Sequence, residues 1–212
     1  MTAVDEPEGT TQTTRLTARG AATRSRIVQA AVDLIQVKGV AATTLDDVRA
    51  ASSTSKSQLY HHFPDKKALV REVVAAQGAQ LIARQEDQLR RLNSIRGLER
   101  WRDALLQRAS LRDGAYGCAI GSLASELADR DHEARSMLAK YFEIWEELLA
   151  EGLTRMRASG ILRRDADPEK LATFLVAALQ GGYLLAQTAH STEPMKLTLD
   201  MAIDHVRTFL AA

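Results

Sequence analysis

A short polar stretch without an acidic residue, 55–62, is the part of this 212-residue chain whose side chains are best suited to chemistry. Small hydroxyl groups let a helix backbone approach a surface closely, lysine binds phosphate or guanine, and glutamine can pair with adenine through two hydrogen bonds. The outward face of the predicted helix consists of Ser55, Lys56, Ser57, Gln58, Tyr60, His61 and His62. The stretch therefore predicts a helix that reads DNA. The alternative is a helical hairpin whose polar face is accidental.

The elements around this stretch are those needed to hold it in position. Thr44 stands three residues before Asp47, a spacing typical of a capping box that opens a short helix ending near Ala51. A polar turn follows at 52–54, and Pro64 ends the second short helix. The apolar residues that can lock the two helices together are Leu45, Val48 and Leu59. This layout is that of a helix-turn-helix.

The charge distribution also favours a polyanionic partner at the amino-terminal end. Residues 9–67 carry nine Lys or Arg and four acids, a net charge of +5, whereas residues 68–212 have a net charge of −1. Thr44 and Lys66 lie at predicted helix starts, where free N–H groups and the helix dipole favour phosphate. We therefore expect both residues to contact the DNA backbone.

The composition and apolar periodicity predict an all-α fold of about nine helices. The chain is 45% hydrophobic and has only four prolines, which favours long helices over strands and turns. The strongest helical pattern runs from Tyr141 to Met156. Gly39 is expected to end the first helix, and Asp65 and Asp167 to cap later ones.

The segment 171–189 contains no charged residue and is long enough to raise the question of a membrane span. Its glutamines and threonines, and the lack of a basic flank, argue against one. A helix that is apolar on nearly all sides must be covered on all sides, and a partner subunit can supply that cover. We expect the last two helices to form a four-helix interface with their symmetry mates, with Gly181 and Gly182 allowing close contact.

Residues 23–74 resemble the DNA-binding domain of the TetR/AcrR transcriptional repressors, notably in the run SKSQLYHHFPDKKAL. The stretches GCAIGSLASELADRDHEAR (117–135) and ALQGGYLLAQ (178–187) resemble the ligand-binding domain of the LmrA/YxaF-like subgroup. The resemblance implies a homodimer that binds a pseudopalindromic double-stranded operator and is released by a small hydrophobic or aromatic effector, with an efflux or detoxification gene as one candidate target. The alternative is a helical DNA-binding activator, or a regulator without small-molecule input.

On this interpretation the chain divides into a flexible tail (1–19), a helix-turn-helix DNA-binding domain (20–70) and a ligand-binding and dimerisation domain (71–212). The expected DNA-binding residues are Thr44, Ser55, Lys56, Ser57, Gln58, Tyr60, His61 and Lys66. The sequence departs from the family at Ser53, where the turn commonly has glycine, and at Ser57, where glycine is also frequent. The first departure predicts a positive backbone angle, and modest strain, at a residue with a β-carbon.

The expected ligand-binding residues are aromatic, apolar or weakly polar side chains of the carboxy-terminal body. They are Trp101, Leu105, Tyr116, Cys118, Ile120, Tyr141, Trp145, Gln180 and Tyr183. Each of them has a competing interpretation, because aromatic residues at helical spacing usually belong to a core. Cys118 is likewise better explained as a packed thiol than as a redox sensor.

Catalytic and metal-binding patterns are missing from the sequence, so we expect no enzyme activity, no cofactor and no metal. The five histidines lack HxxxH or HExxH spacing, and the glycines at 114, 117 and 121 follow no predicted strand. The acids Glu126, Asp129 and Asp131 are interpreted as a solvated helix end. A single cysteine excludes an intramolecular disulfide, and the opening residues lack the pattern of a signal peptide, so a cytoplasmic location is expected.

Overall fold

A computed structural model describes residues 17–111 and 117–211, and within these ranges it contains nine helices and no strand. The amino-terminal helices are α1 (Ala18–Ala42), α2 (Leu45–Ala51), α3 (Lys56–His62) and α4 (Lys66–Leu89). The remaining helices are α5 (Ile95–Ser110), α6 (Ala119–Leu127), α7 (His132–Ala158), α8 (Pro168–Ala189) and α9 (Glu193–Arg207). The predicted all-α fold of about nine helices is therefore confirmed.

Side-chain caps fix the helix starts that the sequence predicts. The Thr44 hydroxyl accepts a hydrogen bond from the Asp47 N–H at 3.1 Å, and the Asp47 carboxylate accepts one from the Thr44 N–H at 3.0 Å, which completes the capping box of α2. Asp65 caps α4 and Asp167 caps α8. Helix α1 begins at Ala18, before the boundary expected at residue 20, because Thr17 accepts a hydrogen bond from the Gly20 N–H.

The three amino-terminal helices pack around a small core of their own, which we call the reading head (residues 18–63). Ile27 of α1, Val48 of α2 and Leu59 of α3 are all at most 1% exposed, and Phe63 closes the core beside α4. The Arg24 guanidinium stacks on the Phe63 ring, 5.2 Å from its centroid, and also forms a bidentate ion pair with Glu72 of α4 at 2.6 and 2.7 Å. The head is thus tied to the long helix that leads into the body.

The body is built on α4, α7, α8 and α9, which pack in that order against one another. The stripe expected on α7 forms its centre, since Trp145, Leu149, Leu153 and Met156 have no exposed surface. Helices α5 and α6 cover the ends of this group, with α6 reaching back to α1. Two of the acids expected to be solvated are not. Glu126 and Asp131 bind α1 and α4, whereas Asp129 is exposed.

Helix α8 is apolar and long enough to span a membrane by length and composition, but 39% of the residues in its most apolar window are buried within the chain. Its inner side packs on α7 and α9. Gly182 serves this internal packing, since a β-carbon there would lie 2.5 Å from the Thr198 hydroxyl. The expectation that both glycines face a partner therefore needs correction, and only Gly181 faces open space.

Candidate DNA-binding face and sensor cluster

The predicted reading face lies on the outside of the molecule. Lys56, Ser57, Gln58, Tyr60 and His61 are exposed on α3, with Ser55 exposed at its cap, while Leu59 on the opposite side is buried in the head. The Lys56 ammonium lies 6.0 Å from the Tyr60 ring centroid, one helical turn away. The six exposed residues from Ser55 to His61 form one surface, which we call the α3 face.

In the structure Gln58 has a second role that was not predicted from the sequence. Its side-chain oxygen accepts a hydrogen bond from the Ser55 N–H at 2.9 Å, and the Ser55 hydroxyl accepts one from the Gln58 N–H at 3.1 Å. This is a capping box, and it holds the start of α3. The amide NH₂ group of Gln58 remains able to donate to a base, but two-point pairing with adenine requires the cap to open.

His62 does not belong to the outward face of α3, where it was predicted to lie. The side chain is half-buried and meets the His61 ring edge-on, with centroids 5.2 Å apart. Burial lowers the pKa of His62, and the neighbouring His61 and Arg24 lower it further. The imidazole is therefore neutral at pH 7, and His61 is the histidine that faces outward.

The turn before α3 has the strained angle that the sequence predicts. Ser53 has φ 52°, in the left-handed region that a residue with a β-carbon enters at a cost. The turn is held by a 2.8 Å hydrogen bond between the buried hydroxyls of Ser52 and Thr54. The angle is compatible with the close approach of α2 and α3 that a helix-turn-helix requires.

Lys66, at the start of α4, is connected to the segment that precedes Thr44, the N-cap of α2. The Lys66 ammonium donates to the Ala41 carbonyl at 3.2 Å, which holds the start of α4 next to the turn that precedes Thr44. Thr44 is exposed, and both its hydroxyl and its N–H are already engaged by Asp47. These hydrogen bonds lower the pKa of Asp47, so its carboxylate is charged at the position where phosphate is expected. A phosphate contact at Thr44 therefore competes with Asp47.

Most of the expected ligand-binding residues form the packed interior of the body. Leu105, Ile120 and Trp145 are buried, and the buried Trp101 indole donates to the Gln85 side chain at 2.9 Å. The Tyr141 hydroxyl donates to the Ala75 carbonyl of α4 at 3.2 Å. Tyr116 lies outside the described residues.

Tyr141 lies against α4, at a contact that requires a glycine. A β-carbon on Gly78 would come within 2.2 Å of the Tyr141 ring, so only glycine admits the ring at this point. The ring and the hydroxyl of Tyr141 therefore both hold α7 to α4, the helix to which the reading head is tied.

Three of the expected residues meet at the start of α6, in what we call the sensor cluster: Cys118, Gln180 and Tyr183. The Gln180 side chain lies so close to Gly121 that a β-carbon there would be 2.6 Å from the amide oxygen, and 3.3 Å from the Cys118 β-carbon. Burial raises the pKa of both the Cys118 thiol and the Tyr183 hydroxyl. Cys118 is therefore a protonated, packed thiol.

Arg84 of α4 lies near the sensor cluster and was not predicted from the sequence to do so. Burial lowers the pKa of its guanidinium, and the nearby Arg108 lowers it further, while Tyr183 and Cys118 act in the opposite direction. Its place near the cluster could not be predicted from the sequence, because it lies in a mainly polar stretch of α4 and the cluster is formed by residues of four helices. Within the described residues, neither Arg84 nor Arg108 forms an ion pair with an acid.

The interior of the body contains polar groups that lack a hydrogen-bond partner. Among the described residues, the Trp145 indole N–H and the Gln180 amide nitrogen are buried without a hydrogen-bond partner. Two clefts lie elsewhere, one of about 480 Å³ between α1 and α4 and one of about 310 Å³ at the end of α7. Neither is lined by an expected ligand-binding residue.

Two family models match the chain on either side of residue 74. The description of the first is the bacterial regulatory proteins of the tetR family, over residues 27–73, and that of the second is the transcriptional regulator LmrA/YxaF-like C-terminal domain, over residues 94–201. The second match alone covers half of the chain.

Similar proteins agree with these matches. The chain is 26% identical to the HTH-type transcriptional repressor DhaR of Mycobacterium sp. (strain GP1), over 85% of this chain and 90% of that protein. It is 30% identical to the HTH-type transcriptional regulator Rv0196 of Mycobacterium tuberculosis, over 82% and 89% of the two chains. The fold is similar to that of a TetR-family transcriptional regulator from Cytophaga hutchinsonii, with a TM-score of 0.79, 18% identity, and coverage of 93% and 100%.

Regulators of this family bind DNA, typically as repressors, and usually act as dimers. Such a role implies a soluble, cytoplasmic protein, and the family are not enzymes. The capped helix-turn-helix, the helical body and the matches over both parts lead to one conclusion: the chain belongs to the TetR family of bacterial transcriptional regulators, with a C-terminal domain of the LmrA/YxaF-like type.

Proposed function

We propose that the protein is a homodimeric, ligand-responsive repressor that binds a pseudopalindromic operator through the α3 face. The observation that carries this proposal is that face itself, which is exposed, free of acids, and fixed at its start by the Ser55–Gln58 capping box. Lys56 and His61 supply positive or donor groups, and Tyr60 supplies a hydroxyl on a rigid ring. Thr44 and Lys66 flank the face and orient it on the phosphate backbone.

The proposed dimer forms through the outer sides of α8 and α9. Most of the large apolar side chains that are exposed in the described residues lie on these two helices: Phe174, Leu184, Leu185, Leu197 and Met201. Exposed apolar surface of this kind is characteristic of protein interfaces. Two copies related by a two-fold axis would bury the same patch on each, and would hold two α3 faces at the spacing of successive major grooves, roughly 34 to 36 Å.

The proposed effector is a small hydrophobic or aromatic compound that binds at the sensor cluster. The unpartnered amide nitrogen of Gln180 supports this site, because a buried donor without an acceptor is satisfied when a ligand supplies one. Ligand binding at this site would select a different arrangement of the body. Operator and effector then oppose each other reciprocally, and a gene for efflux or detoxification is a suitable target.

A regulator without small-molecule input is the second candidate. The two clefts favour it, since neither is lined by a residue of the sensor cluster. Titration of candidate compounds into the protein–DNA complex separates the two proposals. A compound that dissociates the complex supports the ligand-responsive regulator, and a broad set of compounds without any effect supports the second candidate.

Selection of bound fragments from the source genome tests DNA recognition directly. We expect the wild-type protein to enrich a small number of fragments that share an inverted repeat, and to bind them at least about 10³-fold more tightly than random duplexes. The proposal fails if no fragment is enriched at any salt concentration, because a non-specific electrostatic contact alone would then account for DNA binding.

A further inference from the structure

Glu126, near the end of α6, binds the backbone of the reading head. Its carboxylate accepts hydrogen bonds from the Val40 N–H at 2.9 and 3.0 Å, and from the Ala41 N–H at 3.2 Å. The two partners are 86 and 85 residues away in the chain. Hydrogen bonds from N–H groups to a charged carboxylate are about twice as strong as those between neutral groups. This contact joins the body directly to α1.

The backbone of the head is shaped for this contact at Gly39. Gly39 has φ 78° and ψ 168°, a conformation that is essentially restricted to glycine, and it interrupts α1 immediately before the two N–H groups that bind Glu126. A β-carbon on Gly39 would also lie 3.0 Å from the nearer carboxylate oxygen. The residue is therefore constrained twice, by its own backbone angle and by the approach of Glu126.

A second contact from the same part of the body holds α4. Arg71 donates to both carboxylate oxygens of Asp131 at 3.2 to 3.3 Å and also pairs with Glu133. Asp131 is buried and caps α7 through the Ala134 N–H. The segment 126–133 therefore binds α1 of the head through one carboxylate, and α4, the helix to which the head is tied, through two others.

Helix α6 links these contacts to the sensor cluster. Its nine residues extend about 14 Å, at roughly 1.5 Å per residue, from Cys118 at the cap to the turn beyond Glu126. Gln180 lies against Gly121 in the first turn of α6, and Glu126 lies in the last. A displacement of α6 at the cluster is therefore passed to Val40 and Ala41 along a single rigid element.

We propose that Glu126 is a positioning residue that sets the orientation of the reading head on the body, and with it the separation of the two α3 faces in the dimer. This inference rests on the proposed function, because it concerns how that same operator is matched. Val40 and Ala41 are the points at which the head is held. The α3 face itself is not touched by Glu126, so its loss changes the fit to the operator rather than the base contacts.

The test compares Glu126→Ala with wild type on operators of different half-site spacing. The operator is the fragment that the wild-type protein selects, and the altered versions have half-sites one base pair closer or one base pair further apart. The matched control is Glu147→Ala, since Glu147 is exposed on α7 and makes no hydrogen bond or ion pair with a described residue. Binding of all three duplexes is measured by mobility shift, with dimerisation and helicity checked in parallel.

We expect wild type and Glu147→Ala to prefer the native spacing by at least about tenfold, the scale of a single mismatched base pair. Glu126→Ala should retain its affinity for non-specific DNA but prefer the native spacing by less than about threefold. Glu126→Gln, which keeps the shape and one neutral acceptor, should be intermediate. A purely structural role would weaken binding to every duplex equally and leave the preference unchanged, which would overturn the inference.

Hydrogen exchange at single amides provides a readout that needs no DNA. The Val40 and Ala41 amides should exchange at least about tenfold faster in Glu126→Ala, while amides in the centre of α8 keep their wild-type rates. Unchanged exchange at both positions would overturn the inference even if Glu126→Ala binds DNA poorly. If the wild-type protein selects no operator, the proposed function fails and the inference fails with it. If an operator is selected and spacing preference survives the substitution, only the inference fails.

Discussion

At Ser53 the backbone conformation matters more for stability than the side chain does. Its positive φ is required by the turn between α2 and α3, and its side chain is exposed. A left-handed conformation costs a residue with a β-carbon roughly 1 to 2 kcal/mol. Glycine avoids this cost, but it loses more conformational freedom on folding, which cancels part of the gain in stability. The serine is thus tolerated at a small cost in stability.

We expect Ser53→Gly to raise the free energy of unfolding by about 0.5 to 1 kcal/mol. Ser57→Gly is the matched control, because Ser57 lies inside α3, where glycine lowers stability by a few tenths to about 1 kcal/mol. Urea denaturation followed by circular dichroism measures both. A Ser53→Gly variant less stable than wild type would show that the turn does not hold the strain assigned to it.

Asp131 makes stability depend on pH. The Ala134 N–H and the Arg71 guanidinium lower the pKa of this carboxyl group, although burial acts in the opposite direction. A lowered pKa means that the stabilisation is complete above the unfolded-state value of about 3.9 and is lost as pH falls through the native-state value. The contact between the segment 126–133 and α4 should therefore weaken in acid.

For Asp131→Asn we expect a lower free energy of unfolding than wild type at pH 7, and a difference that shrinks as the pH falls below about 4. Asp129→Asn should match wild type throughout, since Asp129 is exposed and makes no bond with a described residue. Denaturation curves at several pH values measure the difference. A gap that stays constant down to pH 2 would mean that the charge of Asp131 contributes nothing.

At the scale of the element, α3 combines a structural and a functional requirement in one side chain. Gln58 closes the capping box with Ser55, and it also lies on the α3 face. Glutamate satisfies the cap equally well and adds a negative charge near the helix start, which the helix dipole favours. The same charge opposes a phosphate-lined groove.

We therefore expect Gln58→Glu to unfold at or slightly above the wild-type temperature but to bind its operator at least about tenfold more weakly. Thermal unfolding and mobility shift on the same preparation measure the two effects. Loss of both stability and binding would indicate that the cap, rather than the face, is what the substitution damages. Unchanged binding would remove Gln58 from the proposed interface.

Helix ends could be predicted from the sequence because they depend on neighbours three or four residues apart. The caps at Thr44, Asp65 and Asp167 are of this kind, and so is the interruption at Gly39. Contacts between distant residues gave no such signal. Glu126 looked like a solvated acid because its partners are 85 and 86 residues away.

Tyr141, one of the expected ligand-binding residues, is another case in which a contact between distant residues could not be predicted from the sequence. Helical spacing correctly placed it on the inner side of α7, but spacing does not reveal that Gly78 of α4 makes room for its ring. The α3 face, in contrast, could be predicted almost completely, because exposure follows directly from the position of Leu59 on the opposite side. Only His62 and the second role of Gln58 required the three-dimensional structure.

The proposed recognition of a pseudopalindromic operator requires two copies of the chain. The outer sides of α8 and α9 expose large apolar side chains, with Leu184 and Met201 65% and 64% accessible. A charge placed in such an interface is desolvated without a partner, which is strongly unfavourable. The dimer should therefore be sensitive to a single substitution there.

We expect Leu184→Glu to convert the proposed dimer into a folded monomer at micromolar concentration. Val37→Glu should remain dimeric, because Val37 is equally apolar and exposed but lies on α1 in the reading head. Sedimentation velocity distinguishes the species. A monomeric wild type, or a Leu184→Glu variant that stays dimeric, would remove α8 from the proposed interface.

Operator binding by a variant that carries both Lys56→Ala and Tyr60→Ala tests whether α3 reads DNA. We expect this variant to keep its fold and its dimer but to lose at least about 100-fold in affinity for the selected operator. Lys170→Ala, which removes one exposed lysine from α8, should bind like wild type. Wild-type affinity in the double variant would contradict the assignment of α3 as the helix that reads DNA.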